Sequence, residues 1–243
     1  MEDAETRNPH ADLDRASRAV KAQKIVRLLS DRVPLGGADV LEVGTGSGVI
    51  AAALAQEVGD EGDVWAVDVV DQRLDRDGVQ FLPVAGTTLP FPDASFDLVL
   101  SNHVIEHVGG LPDQHDHLEE IGRVLRPRGW LYLAMPNRWA PIEPHFKLPF
   151  LSWLPEGRRS AYVRALHRGS AYDCRPLARG QLVELFEAHG FDHMDLSRDA
   201  VRVMLELERP SAPMRVLMRL SPIIFSVARP VLPSVIFLAR RRA

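Results

Sequence analysis

The chain has 243 residues, 46% of them hydrophobic and 26% charged, with a formal net charge of −4 and one cysteine, Cys174. That length fits one domain, or one domain with a sizeable insertion, and the apolar share is ample for a full core. The near-balanced charge excludes the basic footprint of a general nucleic-acid binder, and the single cysteine excludes a disulfide framework and a cysteine-rich zinc site.

The polar start MEDAETRNPHADLDR lacks the apolar stretch of a secretory signal, and no run reaches the ~18 apolar residues of a spanning helix. The cytoplasm is the default expectation. Val20, Ile25, Val26, Leu28 and Leu29 recur at helical spacing, so Ser17–Leu29 reads as an amphipathic helix ended by Pro34, Gly36 and Gly37. Ala38–Val43 is a short apolar run stopped by glycine, as a strand buried in a parallel sheet would be. Val49–Val58 reads as a helix, and Val64–Val69 and Val79–Val84 as strands. Only nine residues separate those two strands, whereas a crossover with its own helix takes ~10–12 or more. That helix is expected to be missing or reduced to one turn. Phe96–Ser101 and Gly129–Met135 read as further strands, with a helix at Gln114–Leu125 between them.

Past Met135 the pattern changes. Residues 136–178 are rich in proline, aromatics and arginine, with weak periodicity. A helix at Leu177–His189, closed by Gly190, a strand at Phe191–Leu196 and a last strand at Val235–Ala239 complete the reading. Alternating strands and helices predict an α/β fold around a mostly parallel sheet. The chain is read as one domain: 1–37 an N-terminal helical segment, 38–135 the ligand-binding core, 136–178 a lid insertion, and 179–243 C-terminal helices and strands.

Val40–Gly48 reads VLEVGTGSG, a strand, a glycine-rich turn and a helix start. Glycines let backbone approach a ligand closely, and a helix N-terminus presents N–H groups. The turn fails the dinucleotide pattern G-x-G-x-x-G, because Val49 stands where its third glycine belongs. Glu42 sits inside an otherwise apolar strand, where a carboxylate needs a partner. Asp68 ends the second strand about 20 residues beyond the loop, where an acid can accept two ribose hydroxyls. A plain tight turn and a strand-end cap are the bland alternatives.

These segments, with LPFPDASFDLVLSNHVIEHV (Leu89–Val108) and IGRVLRPRGWLYLAMPN (Ile121–Asn137), resemble the class I S-adenosylmethionine (SAM)-dependent methyltransferases. The branch they are similar to is the small-molecule one that includes the ubiquinone and menaquinone methylases. The resemblance implies a Rossmann-like seven-stranded sheet, its last strand antiparallel, with helices on both faces. It implies that Gly44, Thr45, Gly46 and Gly48 face the methionine part of SAM, with Glu42 ordering the loop. It places Asp68 on the ribose, Val69 against the adenine, and Gly86, Thr87 and Thr88 at the adenine edge. Asn102 and His103 would border the methionine and the methyl. Thr87 stands where the family usually has Asp, so a weaker adenine contact is expected.

Methyl transfer from a sulfonium mostly requires positioning, with a base only for a hydroxyl or activated-carbon acceptor. His107 and His145 are the candidate bases, and Trp139, His145 and Phe146 the candidate walls for an apolar or aromatic acceptor methylated at oxygen or carbon. His103 and His107, four apart, would share a face of a helical turn. The pair His115 and His117 reads as a solvated helix start. His103, Glu106, His107 and His145 also resemble the acid-and-histidine cluster of magnesium-dependent RNA 2′-O-methyltransferases. His replaces that motif's first Glu, and magnesium prefers oxygen ligands, so no metal is assigned.

The apolar, arginine-spaced residues 201–239 suit a second half of the lid or a helix on a membrane surface; packing is the reading taken. The expected partner is a small molecule and not nucleic acid, and oligomeric state is left open. The rival readings are a nicotinamide-dependent oxidoreductase and a non-catalytic partner subunit of the same fold.

Overall fold

The computed structural model describes residues 15–207 and 229–243. Its centre is a seven-stranded sheet built from β1 (Val40–Val43), β2 (Val64–Asp68), β3 (Val79–Pro83), β4 (Phe96–Asn102), β5 (Leu125–Pro136), β8 (Phe191–Asp195) and β9 (Ser234–Arg241), in the order β3-β2-β1-β4-β5-β9-β8. β1 pairs in parallel with both β2 and β4, and β9 runs antiparallel to both its neighbours. The expected mostly parallel sheet with an antiparallel last strand is what forms.

Side chains alternate across a strand, and the two faces are filled accordingly. Val40, Leu98, Leu100, Tyr132, Ala134, Ile236 and Leu238 pack on one face against α1 (Arg15–Ser30), α2 (Val49–Val58) and α6 (Ser197–Leu207). Their immediate neighbours Leu41, Val99, Leu131, Leu133 and Phe237 pack on the other, against α3 (Leu111–Val124) and α5 (Arg179–Ala188). A one-residue slip of any strand would exchange the two cores.

No helix joins β2 to β3, as the nine-residue spacing requires, and none joins β3 to β4 either. Residues 136–178 form a small unit with its own apolar cluster of Phe146, Leu148, Leu151, Val163 and Cys174. It comprises a hairpin of β6 (Ile142–Glu143) and β7 (Leu148–Pro149), a 3₁₀ turn at Leu151–Trp153 and α4 (Glu156–Ala165). Among the described residues no helix is long and apolar enough to cross a membrane. The expectation of a lid or membrane-surface segment over 201–239 falls partly outside the described residues, at 208–228; its described ends are neither, since α6 packs Val203 into the core and β9 joins the sheet.

Two histidines correct the sequence reading. α3 begins at Leu111 and not Gln114, with Pro112 in its first turn and the Asp113 carboxylate accepting from the Gly110 N–H at 2.6 Å. That start turns Gln114, His117, Leu118 and Ile121 toward the sheet. His117 is buried, its Nε2 3.0 Å from Ser101 Oγ, and His115 Nδ1 lies 3.0 Å from Nε2 of His189, the residue that caps the C-terminus of α5. Neither belongs to a solvated helix start.

Burial pushes His117 down to about 4 from its ordinary 6.5. The unfolded chain therefore binds this proton more readily, so stability falls as pH drops from about 6.5 to 4, by up to ~3 kcal/mol. Urea unfolding at pH 7 and pH 5 should show this loss in the wild type and a smaller one in His117→Gln.

Candidate functional site

The glycine turn after β1 is forced into shape by its neighbours. Gly44, Gly46 and Gly48 have φ of 71, 52 and 75°, in the left-handed region that disfavours side chains. A Cβ on Gly44 would stand 2.4 Å from Val104 Cγ2, and one on Gly48 2.4 Å from the Asp75 carbonyl oxygen. Buried Glu42 holds the turn from beneath: one carboxylate oxygen accepts from Thr45 Oγ1 at 2.7 Å and from the Ala51 N–H at 3.1 Å. Burial pushes Glu42 up to about 7, against the opposing pull of these two bonds.

Asp68, at the end of β2, accepts from the Gly46 N–H at 2.8 Å and from the Val69 N–H at 2.7 Å. It therefore caps the strand and also ties β2 to the glycine turn. The segment after it replaces the missing helix with a clasp. The Leu74 N–H donates to the Ser47 carbonyl at 2.8 Å, and Arg73 pairs with Asp71 while lying 4.6 Å over the Phe81 ring. Val69 is exposed beside this edge, and Gly86 (φ 75°), Thr87 and Thr88 follow β3 there. Asn102, buried, ends β4, and His103 follows it. All twelve residues expected at the cofactor thus gather at the carboxyl ends of β1 to β4, or just beyond, where open α/β sheets bind ligands.

His103 and His107 do not share a helical face. His103 is left-handed (φ 60°), and the His107 N–H closes a turn onto the Val104 carbonyl at 2.8 Å. Both instead converge on Glu106. His103 Nδ1 lies 3.4 Å, His145 Nε2 3.7 Å and His107 Nε2 3.9 Å from Glu106 Oε1. Glu106 is fully buried, and neither carboxyl oxygen has a hydrogen-bond partner. Burial pushes Glu106 up to about 8 and, with the nearby Lys21 charge, holds His103 well below its ordinary value.

His145 arrives on the β6–β7 hairpin, far along the chain. Glu143 fixes it: Oε1 is 2.9 Å from His145 Nδ1, and Oε2 accepts from the Phe146 N–H at 2.7 Å. Of the other expected acceptor walls, Trp139 is exposed and meets Trp153 edge-on at 6.1 Å, and Phe146 is buried in the apolar cluster of the 136–178 unit.

A cavity of about 580 Å³ opens beside this group, between α1, α6 and the ends of β4 and β5. Asn102 and His103 form its floor; Val20, Lys21 and Lys24 of α1 and Met204 of α6 are among its walls. α1 thus has two working faces. Ala22, Ile25, Leu28 and Leu29 enter the core, while Ser17, Val20, Lys21 and Lys24 line the cavity. Sequence reasoning misses these wall residues, although their spacing of three and four marks a second stripe on the helix. It also misses Glu143, whose part is visible only once the hairpin is folded.

Comparison with known proteins finds a methyltransferase domain and its fold. A family model described as a methyltransferase domain matches residues 41–133. The ubiquinone/menaquinone biosynthesis C-methyltransferase UbiE of Laribacter hongkongensis is 35% identical over 129 residues, 49% of this chain and 52% of that one. Its counterpart in Cupriavidus metallidurans is 31% identical over 174 residues, 65% of this chain and 69% of that one. The matches span between 36 and 69% of the length of these curated relatives. Among solved structures, an S-adenosylmethionine-dependent methyltransferase from Mesorhizobium loti superposes with a TM-score of 0.61 at 15% identity, covering 91% of this chain and 100% of that one. That likeness is one of fold.

Proposed function

The chain belongs to the class I SAM-dependent methyltransferases of the ubiquinone-methylase type, and on that premise we propose that it methylates a small aromatic acceptor held in the cavity between α1, α6 and the lid. The observation that carries this reading is the position of Asn102 and His103. They stand at the end of β4, at the edge shared with the glycine turn, and they also line the cavity.

The site's own features fit SAM. The left-handed glycine turn leaves no room for side chains at Gly44 and Gly48, so backbone alone presents itself there. The Asp68 carboxylate, with two acceptor oxygens and single bonds to Gly46 and Val69, retains capacity for hydroxyl donors. In this reading Asp68 holds the ribose, Val69 and Gly86–Thr88 flank the adenine, and Gly44–Gly48 with Asn102 and His103 surround the methionine. When bound, SAM supplies an electrophilic methyl on a sulfonium. The protein's part is then to hold the acceptor at near-attack distance and keep water out.

The cavity's chemistry narrows the acceptor. Val20, Ala134, Met204 and Ile236 offer apolar walls, while Lys21 and Lys24 bring positive charge. A flat ring bearing an acidic hydroxyl or a carboxylate suits both. The relatives named as C-methyltransferases of ubiquinone and menaquinone biosynthesis favour carbon on such a ring, with oxygen as the alternative atom. The pairing of His145 Nδ1 with the Glu143 carboxylate leaves Nε2 as the acceptor nitrogen, which gives His145 the character of a base; His107 stands beside it, ring centroids 5.1 Å apart.

The test is incubation of the purified chain with isotopically labelled SAM and a panel of phenols, quinols, amines and short RNAs, read by mass spectrometry. A gain of one methyl group on a phenol or quinol is expected. Gain on RNA or amines alone would overturn the acceptor assignment.

A further inference from the structure

We propose that His103, Glu106 and His145 form a binding site for a divalent first-row transition metal of the zinc class, with Glu143 as its outer-shell support. One donor atom from each of the three lies within 4.8 Å of the other two. In a tetrahedral site with metal–ligand distances of ~2.0–2.2 Å, donor atoms are ~3.4 Å apart. His103 Nδ1 and His145 Nε2 stand 3.4 and 3.7 Å from Glu106 Oε1. Small side-chain movements bring all three within bonding distance of one ion.

Glu106 is the independent pointer. It is fully buried, on the turn after β4, and neither carboxyl oxygen has a hydrogen-bond partner. Such a group is costly to keep, and natural cores leave few of them. A cation beside Oε1 would compensate that cost. The histidines around it are arranged as ligands. The Glu143 carboxylate lies 2.9 Å from His145 Nδ1, which favours a proton there and directs the Nε2 electron pair inward. A carboxylate on the far nitrogen of a ligating histidine is the usual outer-shell arrangement at metal sites.

The donor set selects the metal. Two imidazoles and one carboxylate match the three-ligand open sites of zinc and non-haem iron, while magnesium and calcium prefer oxygen cages. His107 Nε2, 3.9 Å from the same carboxylate oxygen, is near enough to join. An ion here would border the cavity floor, because His103 belongs to both. Its open position would then receive an acceptor oxygen, and His145 would serve as a ligand in place of its role as a base. That link to the acceptor rests on the function proposed above. Metal binding itself does not, and it is measured without SAM or acceptor.

The experiment is equilibrium dialysis of the full, chelator-treated chain against Zn²⁺, with bound metal counted by mass spectrometry and Co²⁺ absorption reporting the ligand geometry. One Zn²⁺ per chain is expected, and a tetrahedral or five-coordinate Co²⁺ spectrum. Glu106→Gln, nearly isosteric, should weaken binding at least 100-fold. His103→Asn, which tolerates the left-handed backbone, should do so as well. Glu143→Gln should weaken it 10- to 100-fold. Circular dichroism establishes that each variant is folded. The double variant His115→Ala/His189→Ala removes the other close imidazole pair and should leave affinity within twofold. No Zn²⁺ retained by the wild type, or retention unchanged in the two folded ligand variants, overturns the proposal.

Discussion

Asp68→Ala is expected to weaken SAM binding by ~2–3 kcal/mol, the value of charge-assisted hydrogen bonds to two ribose hydroxyls. That corresponds to roughly 30- to 140-fold in Kd. The same change takes the acceptor from the Gly46 N–H, which Asp68 holds at 2.8 Å, so the empty glycine turn should also loosen. Asp68→Asn separates the two effects. Its amide oxygen can still accept from Gly46, but it lacks the charge, so turn stability should be nearly kept while SAM affinity falls by a smaller factor. Calorimetry on both variants distinguishes these outcomes. Unchanged affinity in Asp68→Ala would mean that the ribose is held elsewhere.

Gly48→Ala should be among the most damaging single changes outside the core. Its φ of 75° costs an alanine ~1–2 kcal/mol, and the new methyl would stand 2.4 Å from the Asp75 carbonyl oxygen. That oxygen is backbone and belongs to the clasp at residues 71–78, tied to the turn through Leu74 and Ser47. The clasp must move, adding an overpacking cost of ~1–3 kcal/mol. A total loss near 2–5 kcal/mol in urea unfolding is expected, with SAM affinity reduced in whatever fraction stays folded. Gly59→Ala provides the contrast. Its φ of 72° and ψ of −164° lie in a region open essentially to glycine alone, but nothing lies within 4 Å of its would-be Cβ, so its loss should be backbone strain without any displacement of a neighbour.

Much of the fold is legible in sequence because its signals are local. The runs VLEV and FDLVL are apolar on both faces, as central parallel strands must be, and the glycines that follow VLEV mark a turn no other residue type makes as easily. The nine-residue gap before β3 announces a missing helix by simple reach. The missing helix between β3 and β4 has no such signal, since its segment is long enough to hold a turn or two. α4 is illegible for another reason: its sequence EGRRSAYVRA carries little apolar periodicity, and its buried residues Arg159 and Val163 lie in a unit whose shape is set by distant contacts. His117 reads as solvated because it lies in the polar run DQHDHLEE, which gives no sign that its inward face includes a histidine.

The site divides in the same way. Glu42, the glycine turn and Asp68 lie within one short stretch, and resemblance to a known motif singles them out. His145 is 39 residues beyond Glu106, and only the folded hairpin brings it to 3.7 Å. Glu143 has no recognisable pattern at all. Its part follows from a two-residue strand and a tight turn that aim one carboxylate at both a ring nitrogen and a backbone N–H.

If the glycine turn and Asp68 hold SAM and not a dinucleotide, isothermal titration of the purified chain with S-adenosylhomocysteine, and in parallel with NADH, will separate the two ligands. The expected result is saturable one-to-one binding of S-adenosylhomocysteine, with no heat of binding for NADH. Ligand at 100 times its Kd should also stabilise the fold by ~2.7 kcal/mol. Saturable binding of NADH, with none of S-adenosylhomocysteine, would contradict the account.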